Sequence, residues 1–318
     1  MQITRRATLA TLAALPFVAR AQDKPIRLLV GFPAGGGTDA IARLLAEALQ
    51  ASLGTAVLVD NRPGAGGQIA AQALKAAAPD GTTFFVSHDH TVSILPLVLK
   101  NPGFDPARDF VPVAGFATFA NALALSGGTP AASLPEYLAW VKKQGGQGNV
   151  GVPAPASVPE FLVKLLGEKN GLNLLSVPYR GSAPMVTDML GNQISAGVGS
   201  VPDLIVNHQQ KKLRIVAVMG RQRQAVLPEV PTFTELGIAG FEELPYYGLF
   251  APAGTAPAVV ERFSNALAGV ISQPGVKARL TELGLSVGLM SAPQLAARER
   301  AYSAAWARII KAGGFQPQ

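Results

Sequence analysis

The amino-acid sequence predicts an α/β protein with two lobes, and two observations support this. Short apolar segments alternate with Gly- or Pro-rich turns and with segments whose apolar residues recur at helical spacing, a pattern typical of parallel sheets covered by helices. The chain has 318 residues, whereas a single hydrophobic core stops growing at about 250–300 residues. We therefore expect two α/β domains with a cleft between them.

Residues 1–21 are expected to be a secretory signal peptide and not part of the fold. Arg5 and Arg6 precede an apolar run at 7–18 that is too short to span a bilayer. Ala19 and Ala21 provide the small-x-small step of a cleavage site, so the mature chain is expected in the periplasm. The paired arginines leave both the general and the twin-arginine export routes open. The chain has no cysteine, which argues against a lipoprotein anchor, disulfides and thiolate metal sites.

Charge and composition give no support to a nucleic-acid or membrane partner. The chain carries 27 Lys and Arg against 20 Asp and Glu, and loss of residues 1–21 removes three arginines, which leaves 24 basic residues and a net charge of +4. The basic residues are scattered singly, whereas nucleic-acid sites cluster them with aromatic residues. No later apolar run reaches the length of about 20 residues that a membrane span needs. We expect a monomer with no nucleic-acid partner and no membrane insertion of the mature chain.

The first lobe is expected to open with strand–turn–helix units. Its predicted strands are residues 26–30, 56–59 and 82–87. After the first strand, the apolar residues of 41–49 fall on one face, which predicts a helix that ends near Gly54. After the second strand, a Gly- and Pro-rich turn at 61–67 leads into a predicted helix from Gln68.

Residues 122–246 are expected to form the second lobe with the same alternation. The predicted strands are 122–125, 150–152, 174–177, 194–198 and 213–219, with helices at 133–143 and from 158. The tail has two predicted helices, 257–270 and 293–310, but no sheet of its own, so it is expected to return to the first lobe. Lobe one then comprises 22–121 and 247–318, and two chain crossings near 120 and 246 form a hinge.

Three predicted helix starts carry a Ser followed three residues later by Glu or Gln. These are Ser133, Ser157 and Ser291. In such a capping box the Ser hydroxyl and the Glu or Gln side chain bind the first free N–H groups of the helix. We expect a helix to begin directly after each.

A glycine-rich loop after the first strand is a candidate anion site. Gly35, Gly36 and Gly37 precede Thr38 and Asp39, and bare backbone at a helix N-terminus presents N–H groups to an anion. Alternatively, the glycines only form a tight turn and Thr38 or Asp39 caps the helix. The loop lacks the Lys of a phosphate-binding loop and the spacing of a dinucleotide motif.

The same kind of junction recurs in both predicted lobes. The pairs at 66–67, 156–157 and 181–182 also stand between a strand and a helix. In parallel sheets such turns share one edge, so several helix N-termini are expected to face one cleft. A carboxylate bound there would need no titratable partner.

Histidines next to the third strand suggest ligand contacts more than a metal. His88 and His90 flank Asp89, and side chains two apart point the same way in extended chain. The remaining His208 falls on another predicted helix, so no metal site and no cofactor are expected. Hydrogen bonding from Ser87, His90 or Thr91 to a ligand is one interpretation, and simple solvation of the loop is the other.

No arrangement of residues indicates a nucleophilic enzyme. A Gly-x-Ser-x-Gly elbow is absent, and Gly199-Ser200 does not form one. A catalytic carboxylate pair stays open, because any two acids can meet in the fold. Tyr246 and Tyr247 either line the cleft or pack at the hinge. Arg180 either pairs with a distal carboxylate of a ligand or faces solvent.

Seven stretches together resemble one known family, the Bug-type receptors of tripartite tricarboxylate transporters. They are PIRLLV (25–30), FPAGGGTD (32–39), NRPGAGG (61–67), APDG (78–81), VPYRGSAP (177–184), LPEVPT (227–232) and GLFAPAGT (248–255). Their order and spacing cover nearly the whole mature chain. The resemblance implies a two-lobed, type II periplasmic-binding fold that closes on a small carboxylate and works with a membrane permease, without being an enzyme.

The resemblance also implies where the ligand lies. In lobe one it implies the first Gly-rich loop and the loop after the third strand, with Phe32, Ala34, Gly35, Gly36, Gly37, Thr38, Asp39, Ser87, His88, His90 and Thr91. In lobe two it implies three loops that carry Pro153, Ala154, Ala156, Ser157, Tyr179, Arg180, Gly181, Gly199 and Ser200.

Two departures from the family pattern bear on the ligand. Pro153 and Pro155 stand where relatives often have Gly, Asn or Thr, and proline removes a donor. Gly199-Ser200 stands where some relatives carry Asp-Asn, so no acidic partner for a ligand amine is expected. We therefore expect a plain or aromatic carboxylate and not an amino acid. A sensor that acts on a membrane signalling partner, or an enzyme on the same lobes, are the alternative functions.

Overall fold

The computed structural model describes residues 24–312 and 314–317, so the predicted signal peptide lies outside the described residues. Lobe one begins with β1 (Ile26–Val30), α1 (Gly37–Leu53), β2 (Val57–Asn61), a 3₁₀ turn (Ala65–Gly67), α2 (Gln68–Lys75), β3 (Thr83–His88), a π turn (His90–Ile94), α3 (Leu95–Val98), α4 (Pro106–Asp109) and β4 (Phe110–Thr118). Lobe two contains β5 (Asn121–Ser126), α5 (Leu134–Lys143), β6 (Gln147–Val152), α6 (Val158–Asn170), β7 (Asn173–Pro178), α7 (Ser182–Leu190), β8 (Ala196–Ser200), α8 (Val201–Gln209) and β9 (Leu213–Val218). The chain returns to lobe one with β10 (Tyr246–Pro252), α9 (Pro257–Ser272), α10 (Pro274–Glu282), β11 (Ser286–Ser291) and α11 (Ala292–Ala312).

Each lobe has its own sheet, which confirms the two-lobed α/β fold. The strand order is β11-β4-β10-β3-β1-β2 in lobe one and β7-β6-β8-β5-β9 in lobe two. Strands of the strand–turn–helix units pair in parallel. The expectation of parallel sheets is wrong for β11, which pairs antiparallel with β4, and for β5 and β10, which run antiparallel to both of their neighbours. Strands β5 and β10 start at the hinge and run away from the edge at which the parallel strands end.

Two short crossings connect the lobes. Strand β4 ends at Thr118 and β5 begins at Asn121, while the second crossing precedes Tyr246. The N–H of Phe119 donates to the carbonyl of Pro245 at 3.1 Å and joins the two crossings. Asn121 therefore lies in the sheet of lobe two and Tyr246 in that of lobe one, each one residue from the predicted boundary. Paired crossings restrict the lobes to hinge motion.

Helix α1 packs on the sheet of lobe one through the apolar face that the sequence predicts. Ile41 and Leu45 are buried against the strand β1 that precedes the helix. The helix ends at Gly54, whose φ of 67° is left-handed and whose N–H donates to the carbonyl of Gln50 at 3.0 Å. With its length and rotation set by this packing, α1 holds its first residue, Gly37, at the edge of the cleft.

The predicted capping boxes form to different extents. The Ser133 hydroxyl accepts the N–H of Glu136 at 3.4 Å, as expected. Helix α6 begins directly after Ser157 as expected, but the predicted cap is wrong, because the Ser157 hydroxyl donates to the carbonyl of Ala154 at 2.7 Å. Ser291 contributes its backbone N–H, which a side chain in the first turn of α11 accepts.

Several elements have no counterpart in the sequence prediction, among them β4, α10 and β11. Strand β11 adds to the edge of the lobe-one sheet beside β4, so the tail returns to lobe one as expected and also extends its sheet. Among the residues described, no helix combines the length and the apolar character needed to cross a membrane.

Candidate functional site

One pocket lies between the lobes, where the parallel strands of both sheets end. It encloses about 610 Å³ not filled by protein atoms, part of it open to solvent. Residues from both lobes and both crossings line it: Phe32, Pro33, Gly36, Gly37, Thr38, His88, Asp89, His90, Phe119, Asn121, Pro153, Ala154, Ser157, Val158, Pro159, Ser182, Ala183, Ser200, Asp203 and Tyr247. The helices α1, α6, α7 and α8 all begin at this lining.

Asp39 organises the Gly-rich loop from behind the pocket. Its carboxylate accepts the N–H of Gly35, which has a φ of 86°, at 2.9 Å and the amide of Asn61 at 2.9 Å. Arg43 also donates to it at 2.9 Å. Burial acts to raise the pKa of Asp39, yet the bonds and charge of Arg43 and the other donors hold that pKa below its ordinary value. Asp39 therefore shapes the loop and does not line the pocket.

Aromatic rings form the floor of the pocket beside the first crossing. Phe32 stacks on His88 with ring centroids 4.8 Å apart, and Phe119 lies 4.8 Å from Tyr247. The Tyr247 hydroxyl is hydrogen-bonded to the Thr38 hydroxyl at 3.0 Å, and burial raises its pKa. The tyrosine is therefore a neutral donor or acceptor that ties β10 to the start of α1.

His90 is a buried polar side chain of lobe one with unused hydrogen-bonding capacity. Neither of its ring nitrogens has a partner among the described residues. Burial, and secondarily the charge of His88, lower the pKa of His90 to about 4, so the neutral ring offers one N–H donor and one acceptor. The ring lies so close to Gly66 that a Cβ would not fit there. The expectation that His88 and His90 project the same way is wrong, because β3 ends at His88 and His90 starts the π turn.

The wall formed by lobe two is built around Asp203. Its Oδ2 accepts the hydroxyls of Ser182 at 2.7 Å and Ser200 at 2.5 Å. Its Oδ1 accepts the N–H of Gly37 at 2.6 Å, across the cleft on α1. Asp203 thus joins the lobes directly.

The lining contains acids but no fixed positive charge. Asp89 and Asp203 both line the pocket, although Gly199-Ser200 had led us to expect no acidic partner for a ligand amine. The Asp89 carboxylate accepts the hydroxyl of Tyr302 at 2.9 Å. Within residues 24–312 and 314–317, neither Lys nor Arg lines the pocket, and no group of three His, Asp or Glu side chains could hold a metal ion.

Ten of the residues singled out from the sequence line this pocket. They are Phe32, Gly36, Gly37, Thr38, His88, His90, Pro153, Ala154, Ser157 and Ser200. The structure places the others outside the lining: Ala34, Gly35, Asp39, Ser87, Thr91, Ala156, Tyr179, Arg180, Gly181, Gly199 and Tyr246.

The positions outside the lining have specific structural surroundings. The Tyr246 hydroxyl is bound to Ser93 at 2.8 Å inside the core, which corresponds to hinge packing. The Thr91 hydroxyl donates to a backbone carbonyl at 2.8 Å. Arg180 and Tyr179 line a neighbouring hollow between the lobes and not the pocket itself.

Sequence reasoning gave too little weight to two parts of the lining. Pro159 and Ala183, at the starts of α6 and α7, line the pocket although neither was among the predicted site residues. Asp203 follows Ser200 by three residues, and its N–H donates to the Ser200 hydroxyl at 3.3 Å. This Ser-x-x-Asp pattern marks a helix start. It could have located Asp203 at the cleft edge, but not its contact with α1.

Comparison with known proteins gives consistent matches. The sequence profile of the tripartite tricarboxylate transporter family receptors matches residues 41–315. A UPF0065 protein in the gbd 5' region of Cupriavidus necator is 32% identical over 288 residues, covering 90% of this chain and 87% of that protein.

Solved structures agree over nearly the full chain. The periplasmic binding protein BugD aligns with a TM-score of 0.88 and 30% identity, over 93% of this chain and 99% of BugD. A protein of R. palustris solved with adipate aligns with a TM-score of 0.87 and 28% identity, over 92% and 98% of the two chains. MatC of Rhodopseudomonas palustris, solved with bound malate, aligns with a TM-score of 0.83 and 27% identity, over 90% and 98%.

Proposed function

The chain belongs to the tripartite tricarboxylate transporter receptor family, and on this basis we propose that it captures a small carboxylate in the periplasm and delivers it to a membrane permease. The observation that carries the proposal is the pocket between the two lobes that is lined from both sides and by the starts of four helices. Two relatives of the same fold were solved with the carboxylates adipate and malate, which supports the ligand class.

Lobe one supplies the groups best suited to hold the carboxylate. His90 is neutral, buried and has an uncommitted N–H, and Thr38 stands at the N-terminus of α1, where the helix dipole favours negative charge. Without a ligand, His90 is neutral near pH 7 and the Thr38 hydroxyl does not titrate in that range. The bound acid therefore stays ionised without a permanently charged partner.

Closure of the lobes would complete the site. The wall formed by lobe one alone leaves the ligand exposed. Contact between α1 and α8 brings Ser182, Ser200 and Asp203 of lobe two over the ligand. Hinge motion about the two crossings then distinguishes an open, accepting form from a closed form that a permease can recognise. Binding and release need no bond-making step, so we propose a receptor and not an enzyme.

Thermal unfolding with a library of small carboxylates tests the ligand class. A ligand that binds only the folded protein raises the melting temperature, by an amount that grows with its concentration relative to Kd. We expect acids to raise it and their amide counterparts to leave it unchanged. Failure of every acid at millimolar concentration would overturn the proposal.

Delivery and export need separate measurements. Membranes from cells that express the paired permease should retain the receptor more strongly with ligand than without it. The periplasmic protein should have a mass corresponding to cleavage after about Ala21, which intact-protein mass spectrometry measures.

A further inference from the structure

Asp203 fixes the direction of the hydrogen bonds in the wall of lobe two. Its carboxylate accepts from Ser182, from Ser200 and from the N–H of Gly37, all between 2.5 and 2.7 Å. A hydroxyl has one proton, so Ser182 and Ser200 spend theirs on Asp203 and leave only lone pairs for a ligand. Both hydroxyls nevertheless line the pocket.

The third serine of this wall behaves in the same way. Ser157 is 2% exposed and donates its proton to the carbonyl of Ala154 at 2.7 Å. All three serines of the lobe-two lining are therefore acceptors towards a ligand. A free serine hydroxyl can donate a hydrogen bond, but each of these three already donates its proton within the protein. Each can therefore only accept a hydrogen bond from a ligand.

The first turn of α8 offers the ligand little compensation. The N–H of Val201 donates to the carbonyl of Ala120 at 2.8 Å, Pro202 has no N–H, and the N–H of Asp203 donates to Ser200. This helix N-terminus is thus occupied by its own backbone and side-chain acceptors. Together with the carboxylate of Asp203, the wall carries negative charge where a second anionic group of a ligand would lie.

We propose that Asp203 determines the ligand class, selecting a small monocarboxylate whose far end is a hydrogen-bond donor, a hydroxyl or an ammonium group, over a dicarboxylate. The inference rests on the proposed carboxylate-binding function of the same pocket. It reverses the expectation of a ligand without an amine, which followed from Gly199-Ser200, because the acid stands three residues later. Adipate and malate are ligands of relatives that share less than a third of this sequence.

Matched acids separate the far-end group from ligand size. Calorimetry at pH 7 would compare butyrate, 4-hydroxybutyrate, 4-aminobutyrate and succinate, with the six-carbon series hexanoate, 6-hydroxyhexanoate, 6-aminohexanoate and adipate for a longer reach. We expect the hydroxy or amino acid of at least one series to bind about tenfold tighter than the diacid of equal length, a ratio that corresponds to about 1.4 kcal/mol. A diacid that binds as tightly as both donor-bearing acids in each series overturns the inference.

The variant Asp203→Asn reverses the direction of the hydrogen bonds in the lobe-two wall while keeping the shape of the wall. An amide can still accept the N–H of Gly37, but its NH₂ group now donates to the serines and frees their protons for the ligand. The ratio of diacid to hydroxy-acid affinity should rise at least tenfold. Because a ratio within one protein is measured, a general loss of affinity or stability does not alter it.

Asp188→Asn is the control. Asp188, like Asp203, is an acid of lobe two, but it lies on α7 and does not line the pocket. Its carboxylate accepts a hydrogen bond from the hydroxyl of Tyr179 at 2.7 Å. The control removes the same charge and should keep the wild-type ratio. An equal change of the ratio in both variants would contradict a specific role of Asp203, and the wild-type ranking remains decisive if Asp203→Asn does not fold.

The results distinguish the inference from the function on which it rests. Tight binding of acids without any preference for a donor leaves the receptor function intact and removes the role of Asp203. Failure of all eight acids to bind, in a protein that unfolds cooperatively, removes both.

Discussion

The two walls of the cleft differ in what they leave for a ligand. Lobe one keeps the neutral ring of His90 buried and without partners, so a donor stays available. Lobe two commits the protons of Ser157, Ser182 and Ser200 to its own acceptors. Both walls are made from strand ends and helix starts and each contains a carboxylate, Asp89 or Asp203, but only lobe one also has the ring nitrogens of His90 without a partner. The comparison teaches that shared junction geometry does not determine which end of a ligand each lobe binds.

The largest expected effect concerns the titration of His90 in lobe one. In the unfolded chain a histidine binds a proton near pH 6.5, whereas in the fold the pKa of His90 is lowered to about 4. Between these values the unfolded state binds more protons, so stability falls as the pH is lowered through this window, by about 3 kcal/mol in total from this group. Urea unfolding at pH 6.5 and pH 4 measures the loss.

His90→Leu should reduce that loss, while other groups contribute equally to both proteins. If His90→Leu loses as much stability as the wild type, the proposed buried neutral state of His90 is wrong.

The variant Gly37→Ala tests the contact between the two walls of the cleft. A methyl group at position 37 would lie 3.0 Å from Oδ1 of Asp203 and 3.0 Å from Cβ of Pro202. Crowding of this kind costs about 1–3 kcal/mol, and here it acts only on the closed form. We expect correspondingly weaker binding of butyrate or 4-hydroxybutyrate in calorimetry.

Gly269→Ala provides the comparison, because open space surrounds that position on α9. Spin labels at Ser52→Cys and Gln209→Cys, introduced into a chain without native cysteine, would report the distance between the lobes. An unchanged distance distribution and affinity in Gly37→Ala would contradict the closure contact.

A smaller effect is expected from Ser182→Ala. The change removes one of the three donors to Asp203 and leaves the other two in place. It should lower the free energy of unfolding by about 1 kcal/mol, measured by urea titration. Ser272→Ala removes an exposed hydroxyl that donates to the carbonyl of Gly269 and should cost less. Equal costs would mean that Ser182 does not support the carboxylate.

The smallest effect is expected from Arg180→Ala. Arg180 is exposed and lines the neighbouring hollow, not the pocket. The unfolding free energy should stay within about 0.5 kcal/mol of wild type, and butyrate affinity should not change. A large loss of affinity would place the ligand partly in the second hollow and revise the comparison of the walls.

Much of the fold followed from local sequence patterns. Strand β1 was predicted with its observed bounds, and the apolar stripe of α1 and its end at Gly54 follow from helical spacing. Strand β11 could not be found in this way, because its residues are largely exposed at a sheet edge and show no burial pattern. Its pairing with β4 depends on tertiary contact, which local periodicity does not encode.

The site was predictable to the level of loops but not of individual contacts. The Gly-rich loop and the loop after β3 do reach the pocket, since strand ends of parallel pairs share an edge. Of the partners of Asp203, Ser200 is three residues away in sequence, but Ser182 is 21 and Gly37 is 166 residues away. The contact with Gly37 forms only across the cleft, and the contact with Ser182 depends on the packing of α7 against α8. Neither the acceptor wall nor the direction of its hydrogen bonds could therefore be derived from spacing alone.

The orientation of a bound ligand tests the central claim most directly. A crystal structure of the mature protein grown with 4-hydroxybutyrate should show the carboxylate within hydrogen-bonding distance of His90 or Thr38 on lobe one. The hydroxyl should donate to Asp203 or to one of the serines bound to it. A carboxylate placed against Asp203, or a ligand bound outside the cleft, would contradict the account.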